Sequence, residues 1–368
     1  MIEKGRISKG QFVKLSFLYM IGSSTLISTP IVIFQARQDA WLSVLIATII
    51  ALIIIYVYVS LAKRYPNKTI IEFSEEILGK WGGKFISSLY FIYFLFLTSG
   101  LTRVIGDLLT TKIMAETPII AIEIAFILIV IYGVYLGLET FARTSEMVFP
   151  WVVMFFILSM VLLIPEIKIE NLSPVLGDGL NPAMRGVYRL LGIPYLDMVI
   201  ILMLAPYVVA PFKLGKALVH TIFLGGFVII SVMLLSITVL GPELTSHLNY
   251  PLYDLAQRID IANFIQRIEV LSGGVVFIAM FMKIVICFYS LVLSLAQILE
   301  LKQYTPLNFP IGIIVLFMAT LLTPNIIFFE AFISYAWTPF TLIFGLLIPL
   351  LMLMVDKVKK RLLQVEKR

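Results

Sequence analysis

Cysteine and histidine are nearly absent from this sequence: the chain of 368 residues carries one Cys, Cys287, and two His, His220 and His247. A single thiol excludes a disulfide framework and a thiolate metal site. Two histidines so far apart offer no zinc spacing, and no metal or cofactor is expected. Charge is scarce as well, at 14% of residues against about 25% in ordinary globular chains. So few charges cannot coat a chain that is 60% hydrophobic, and a disordered chain would need the opposite composition. No GxxxxGKS loop, HExxH pair or Ser-His-Asp arrangement occurs, so the chain does not read as an enzyme.

What is present in quantity is apolar sequence in long runs. A membrane-spanning helix needs roughly 20 mostly apolar residues. Ten runs qualify, at about 12–34, 40–61, 85–108, 118–137, 142–164, 186–210, 217–240, 266–299, 309–323 and 328–355. The chain therefore reads as an all-α integral membrane protein: one transmembrane domain with a basic tail at 356–368. The first run is too long for a cleaved signal and no small-residue cleavage site follows it.

The net charge of +6 by itself would suggest nucleic acid, but its distribution argues against that partner. With the N-terminus inside, nineteen of the 28 Lys and Arg residues fall on inner segments and seven on outer ones. Basic residues concentrate on the cytoplasmic side of membrane proteins, so both termini are expected there. The tail, KVKKRLLQVEKR, reads as a solvated flank of the last span beside the lipid surface.

Two segments between spans resemble each other. Tyr65-Pro66 follows span 2 and opens an amphipathic stretch with Ile70, Phe73 and Ile77 on one face. Tyr250-Pro251 follows span 7 and does the same with Leu252, Leu255 and Ile259. The topology puts the first inside and the second outside, as an inverted repeat of five plus five helices requires. The repeats are expected at about 10–164 and 184–355.

The repeat makes spans 1 and 6 equivalent, and both carry helix-breaking residues at mid-span. Span 1 has Gly22, Ser23, Ser24 and Thr25 ahead of Pro30; span 6 has Gly192 and Pro194 just before Leu196 and Asp197. Paired interruptions point to a binding site between repeats, whereas small residues alone also serve close helix packing. Unpaired N–H groups at 22–25 suit a carboxylate, and carbonyls of Leu191 and Gly192 suit an ammonium. Together they favour a zwitterion such as a small amino acid, with a sugar or nucleoside as alternatives. Lys283, in the middle of span 8, must face protein or water. Asp197 is placed to accept an ammonium, carry a proton or pair with Lys283. Tyr93 and Leu97 share a face of span 3, from which Tyr93 covers the ligand or packs as an ordinary tyrosine. Arg103, Asp107, Arg267 and Glu269 read as ion pairs near the outer ends of spans 3 and 8, and Glu139, Arg143 and Glu146 as their inner counterparts.

Four stretches in order resemble the B subunits of bacterial spore germinant receptors. They are GRISKGQFVKLSFLYMIGSSTLISTP followed by QARQDAWLS; YPNKTIIEFSEEILGKWGGKFISSLYFIYF; ENLSPVLGDGLNPAMRG; and FIQRIEVLSGGVVFIAMFMKI. The resemblance implies an endospore germination permease of the amino acid–polyamine–organocation superfamily, with the ten-helix fold of amino-acid symporters. It further implies the inner membrane of the spore, A and C partner subunits, and sensing of amino acids, sugars or nucleosides. The ligand region it implies is Gly22–Thr25, Tyr93, Leu97, Gly192 to Asp197 and Lys283. In folds of this type a sodium ion often sits between helices 1 and 8, and the ammonium of Lys283 is expected in its place or against an anionic ligand group. The helix 1 Gly-x-Gly of the superfamily stands here as Gly22-Ser23-Ser24, and the Gly-x-Glu common in helix 6 is missing, with a carboxylate at Asp197 instead.

Overall fold

The computed structural model of the chain describes residues 2–209, 214–258, 269–322, 328 and 331–365, with the side chains of 269–272 and 363–365 left out. These residues are helical almost throughout. Their one strand-like feature is a lone parallel bridge between Ile7 and Val208. A helix satisfies its backbone polar groups internally, which an apolar run needs where no water can do so.

The helices are α1 (Lys9–Ser23), α2 (Thr29–Ala36), α3 (Ala40–Arg64), α4 (Ile70–Lys112), α5 (Ile119–Tyr135), α6 (Leu138–Leu162) and α7 (Leu180–Leu190). They continue with α8 (Leu214–Leu235), the short α9 (Pro242–His247) and α10 (Pro251–Gln257), α11 (Glu269–Ile298), α12 (Asn308–Leu322), α13 (Thr338–Leu342) and α14 (Ile348–Val365). Among the described residues, eight continuous helical stretches are long and apolar enough to cross a membrane. The first, Lys9–Arg64, is bent apart at Arg37–Asp39, where Arg37 takes φ 48°, so it covers the first two expected spans. The fourth expected span, Ile119–Tyr135, is apolar and shorter, at 17 residues.

Capping boxes start α1 and α4: Ser8 with Gln11, and Thr69 with Glu72. The amphipathic start of α4 buries Ile70, Phe73 and Ile77, the face expected from their spacing. Gly79 then bends the helix at φ 79°, a left-handed conformation that glycine adopts without a Cβ penalty. In the second segment Leu255 is buried and Leu252 half-buried, while Ile259 lies outside the described residues. Tyr65 and Tyr250 adopt nearly the same backbone conformation, φ −128°, ψ 63° and φ −134°, ψ 67°, each just ahead of its proline.

The interruption of span 1 differs from the sequence expectation. Unpaired N–H groups were expected at 22–25. The chain instead stays helical through a π-helical segment, Ser24–Ser28, and the Ser24 N–H donates to the Ile21 carbonyl. The hydroxyls of Ser24, Thr25, Ser28 and Thr29 each donate to the carbonyl four residues back. Serine and threonine break helices less by unwinding them than by bonding back and widening them. Span 6 is truly broken: Ile193 has φ −137°, ψ 116°, and the chain resumes as the 3₁₀-helical Leu196–Met203. The Leu191 carbonyl, expected to be free, accepts the Leu196 N–H across the break.

α11 runs through the centre of the bundle, packed against α1 and α4. Gly22 makes the first contact possible, since a Cβ there would lie 2.7 Å from the Ala279 carbonyl oxygen. At the chain's N-terminal end the segment before α1 is tied down. The Ile7 N–H donates to the Tyr207 carbonyl, and the buried Glu3 accepts from the Tyr304 hydroxyl at 2.9 Å. At the same end Arg143 and Glu139 pair as expected (3.6 Å), while Glu146 pairs with Lys14 of α1 (2.7 Å), a partner the sequence did not single out. The Lys84 ammonium, 2.8 Å from Glu300, holds that carboxyl below the usual carboxylate range. α14 is latched to the end of α3 through Asp356, which pairs with Arg64 and Lys360 and accepts from the Tyr65 hydroxyl at 2.6 Å.

Asp356 is 3% exposed, so its removal leaves the Tyr65 and Arg64 donors facing each other without an acceptor. Asp356→Ala is expected to cost about 1–3 kcal/mol. Asp356→Asn, which still accepts from Tyr65, should cost less. Thermal unfolding of the detergent-purified variants measures the order.

Candidate functional site

Lys283 sits at mid-helix in α11 with a fully buried side chain. An isolated lysine at such a depth costs at least about 2.5–3.5 kcal/mol, so its surroundings must repay the charge. They do so from three sides. The Asp197 carboxylate lies 3.6 Å away, the Ser23 hydroxyl accepts a hydrogen bond, and the Tyr19 ring lies 4.6 Å from the ammonium. The ammonium thus stands between α1 and α11, as expected, and its acidic partner is the one residue of span 6 that can balance it.

Asp197 is the hub of this arrangement. Its second oxygen accepts from the Tyr93 hydroxyl at 2.9 Å, and its backbone carbonyl accepts from the Tyr19 hydroxyl at 3.0 Å. The neighbouring Leu196 carbonyl accepts from Tyr58 at 3.3 Å. A break leaves helix carbonyls without their usual partners, and buried carbonyls need acceptable donors. Tyrosines from α1 and α3 supply them here. The broken span is held by side chains of its neighbours, and four expected spans (1, 3, 6 and 8) meet at one buried ion pair.

Beside this knot lies a cavity of about 190 Å³. Ser23 and Asp197 give it one polar wall. Ile27, Leu97, Gly100, Leu101, Val104 and Ile193 line it further, with Phe96, Leu321, Leu322, Phe328, Phe332, Ile333 and Trp337 adding to its apolar lining. A wider vestibule of about 420 Å³ lies toward the C-terminal end of α2, opposite the chain's N-terminus, and shares Ile27, Val104 and Ile333 with the cavity.

The residues singled out from sequence separate into three groups. Ser23, Leu97 and Asp197 line the cavity, whereas Tyr93 and Lys283 reach it only through Asp197 and Ser23. Gly22, Gly192 and Leu196 are close-packing positions: a Cβ on Gly192 would lie 2.6 Å from the Thr338 hydroxyl, and a Cβ on Gly345 would lie 2.6 Å from the Leu196 carbonyl oxygen. The Ser24 and Thr25 hydroxyls are spent on their own helix, and Thr25 borders a separate apolar cleft between α1, α6 and α8. Arg103 meets Asp107 at 3.5 Å, as expected, and also the buried Glu123 at 3.5 Å, which sequence reading did not flag. Arg267 and the Glu269 side chain lie outside the described residues.

Sequence reading missed the whole wall from the last two spans. Phe332, Ile333 and Trp337 carry no charge or motif that separates them from lipid-facing residues. The one available signal was the spacing of Leu97, Leu101 and Val104, which continues the face of α4 already started by Tyr93. Tyr93 itself stacks on Phe344 at 4.7 Å, so the last span also braces the ion-pair side of the cavity.

Comparison with known proteins places these features in context. A family model described as "Spore germination protein" matches residues 6–327. The chain is similar to spore germination protein KB of Bacillus subtilis (strain 168), 28% identical over 327 residues, which are 88% of this chain and 87% of that protein. It is 29% identical to spore germination protein YndE of the same organism over 363 residues, 97% of this chain and 98% of that one. Among solved structures, MhsT in complex with L-phenylalanine superposes with a TM-score of 0.71 at 13% identity, covering 96% of this chain and 99% of that one. A Na⁺-coupled sialic acid symporter gives 0.63 at 14% identity, over 92% and 78%. The fold is therefore that of these two structures.

The buried pair makes a direct expectation. Lys283→Met leaves the Asp197 carboxylate without a counter-charge in an apolar interior and should destabilise the protein by about 3–5 kcal/mol. Adding Asp197→Asn to it should recover most of that loss. Unfolding of the two single variants and the double variant gives the coupling; additive losses would remove the pair from its central place.

Proposed function

Because the chain belongs to the spore germination protein family, we propose that it is the nutrient-sensing membrane subunit of a spore germinant receptor. The observation that carries this reading is the largely apolar, partly open cavity at the break of span 6, with one carboxylate and one hydroxyl on its wall. Its volume is that of about six waters at about 30 Å³ each, which suits a small metabolite. A carboxylate beside an otherwise apolar lining favours a ligand with an ammonium and a compact apolar body. A small amino acid fits that description better than a sugar or nucleoside, whose many hydroxyls would find two polar partners at most.

In this reading the ligand's ammonium meets Asp197 and Ser23, and its body lies against Leu97, Ile193 and Trp337. Binding changes how the Lys283 and Tyr93 contacts share Asp197, and so changes the tension on the broken span. The response is passed to A and C subunits in the inner membrane of the spore, with both termini on the core side. The five-plus-five repeat, about 10–164 and 184–355, gains support from the matching backbone at Tyr65 and Tyr250. A sodium ion between α1 and α11 does not fit this site, because the Lys283 ammonium lies against Ser23 there. Ligand binding is therefore expected to be independent of sodium.

A second reading is an autonomous proton- or sodium-coupled amino-acid transporter, favoured by the shared fold with a Na⁺-coupled symporter. Uptake driven by an ion gradient into vesicles holding the purified chain alone would support it over the receptor.

Gly100 offers the cleanest test of the cavity. It lines the space, and a Cβ built on it meets nothing within 4 Å. Gly100→Leu should fill the cavity without strain and leave thermal stability unchanged or raised by up to about 1 kcal/mol, from better helix propensity. Binding of L-amino acids, followed by thermal shift, should be lost. An unchanged affinity in this variant would move the ligand elsewhere.

A further inference from the structure

Arg189, at the end of α7, differs from most enclosed cations of the bundle. Lys14, Arg64, Lys84, Arg103, Lys112 and Lys283 each have a carboxylate partner, and among the described half-buried cations only Lys9, at the start of α1, also lacks one. Among the described residues the Arg189 guanidinium has no ion pair and no hydrogen bond; it is half-buried and held by aromatic faces instead. Its central carbon lies 5.8 Å from the Tyr188 ring centroid and 5.6 Å from that of Tyr335. Cation–π contact with an aromatic ring uses no N–H, so its five donors remain unspent in a fork that matches a carboxylate.

Its position gives that fork a use. Arg189 borders the vestibule and also a neighbouring cleft of about 470 Å³, and Gln35 borders both, adding an amide to the same corner. The inner cavity shows no cation to its lining, since Lys283 is held behind Asp197 and Ser23. A zwitterion entering from the vestibule would therefore find its counter-charge for the ammonium below, at Asp197, and for the carboxylate above, at Arg189. Eight residues of span 6, with the break at Ile193 among them, separate the two, and they line different spaces.

We propose that Arg189, in cation–π contact with Tyr188 and Tyr335 and assisted by Gln35, is a carboxylate-capture site in the vestibule, occupied before the ligand reaches the inner cavity past Ile27, Val104 and Ile333. This makes the ligand class carboxylate-bearing and sets neutral sugars and nucleosides apart. The passage to the inner cavity rests on the proposed function; carboxylate binding at Arg189 does not.

The test uses acetate as the probe, with acetamide and chloride as controls, on the full chain with ¹⁵N-labelled arginine. The Arg189 Nε resonance is assigned by its absence in Arg189→Lys. Acetate should shift it saturably, with little effect from acetamide or chloride. Tyr335→Leu, which keeps the arginine and removes one of its ring contacts, should weaken acetate binding several-fold. Gly100→Leu should leave the acetate shift intact even where it abolishes amino-acid binding, so failure of the inner cavity and failure of the capture site give different results. Equal shifts with acetate and acetamide, or none with acetate, would overturn the proposal.

Discussion

The ion pair between Lys283 and Asp197 is the constraint around which the bundle is arranged. Two charges with 0% and 1% exposure can persist in an apolar interior only when each is also hydrogen-bonded. Ser23 and Tyr19 serve the ammonium, and Tyr93 serves the carboxylate. Ser23 and Tyr19 belong to α1, Tyr93 to α4, Lys283 to α11 and Asp197 to the broken span, so satisfying one pair fixes the relative placement of these four. Replacing the pair by apolar residues could well give a more stable bundle. What it provides instead is a carboxylate delivered to the wall of a cavity.

The two interruptions solve the same backbone problem in different ways. In span 1, hydroxyls one turn ahead bond back to the carbonyls, and the helix widens without opening. In span 6 the helix opens, and the carbonyls of Leu196 and Asp197 are taken by Tyr58 and Tyr19 from neighbouring helices. The second solution leaves the local conformation of span 6 dependent on side chains of α1 and α3. In the proposed reading, a ligand that draws on Asp197 acts on that dependence directly. The family membership and the ammonium between α1 and α11 are the grounds on which signalling is proposed over transport.

Much of this was legible in the sequence. Apolar run length marked the spans, because a bilayer sets a minimum helix length. Asp197 and Lys283 stood out because charge is costly at mid-span, and their pairing was among the readings weighed. Two parts were not legible. Gly22, Gly192 and Leu196 looked like ligand residues, but glycine serves close backbone contact and conformational freedom equally, and only the approach to Ala279 and Thr338 separates the two uses. The wall from Phe332, Ile333 and Trp337 was invisible because aromatic and aliphatic residues face lipid and cavity alike. Arg189 was counted only as an outer charge; its two tyrosine neighbours come from the same turn of α7 and from the last span.

The central claim is that a small amino acid occupies the space between Asp197 and the last span, with Lys283 standing where a sodium ion would otherwise be. Cryo-electron microscopy of the purified receptor with its germinant tests both halves at once. The account expects ligand density bounded by Ser23, Leu97, Ile193, Asp197 and Trp337, with the Lys283 side chain filling the gap to Ser23. Ligand density in the apolar cleft between α1, α6 and α8, or a separate ion between Ser23 and Asp197 with Lys283 displaced, would contradict it.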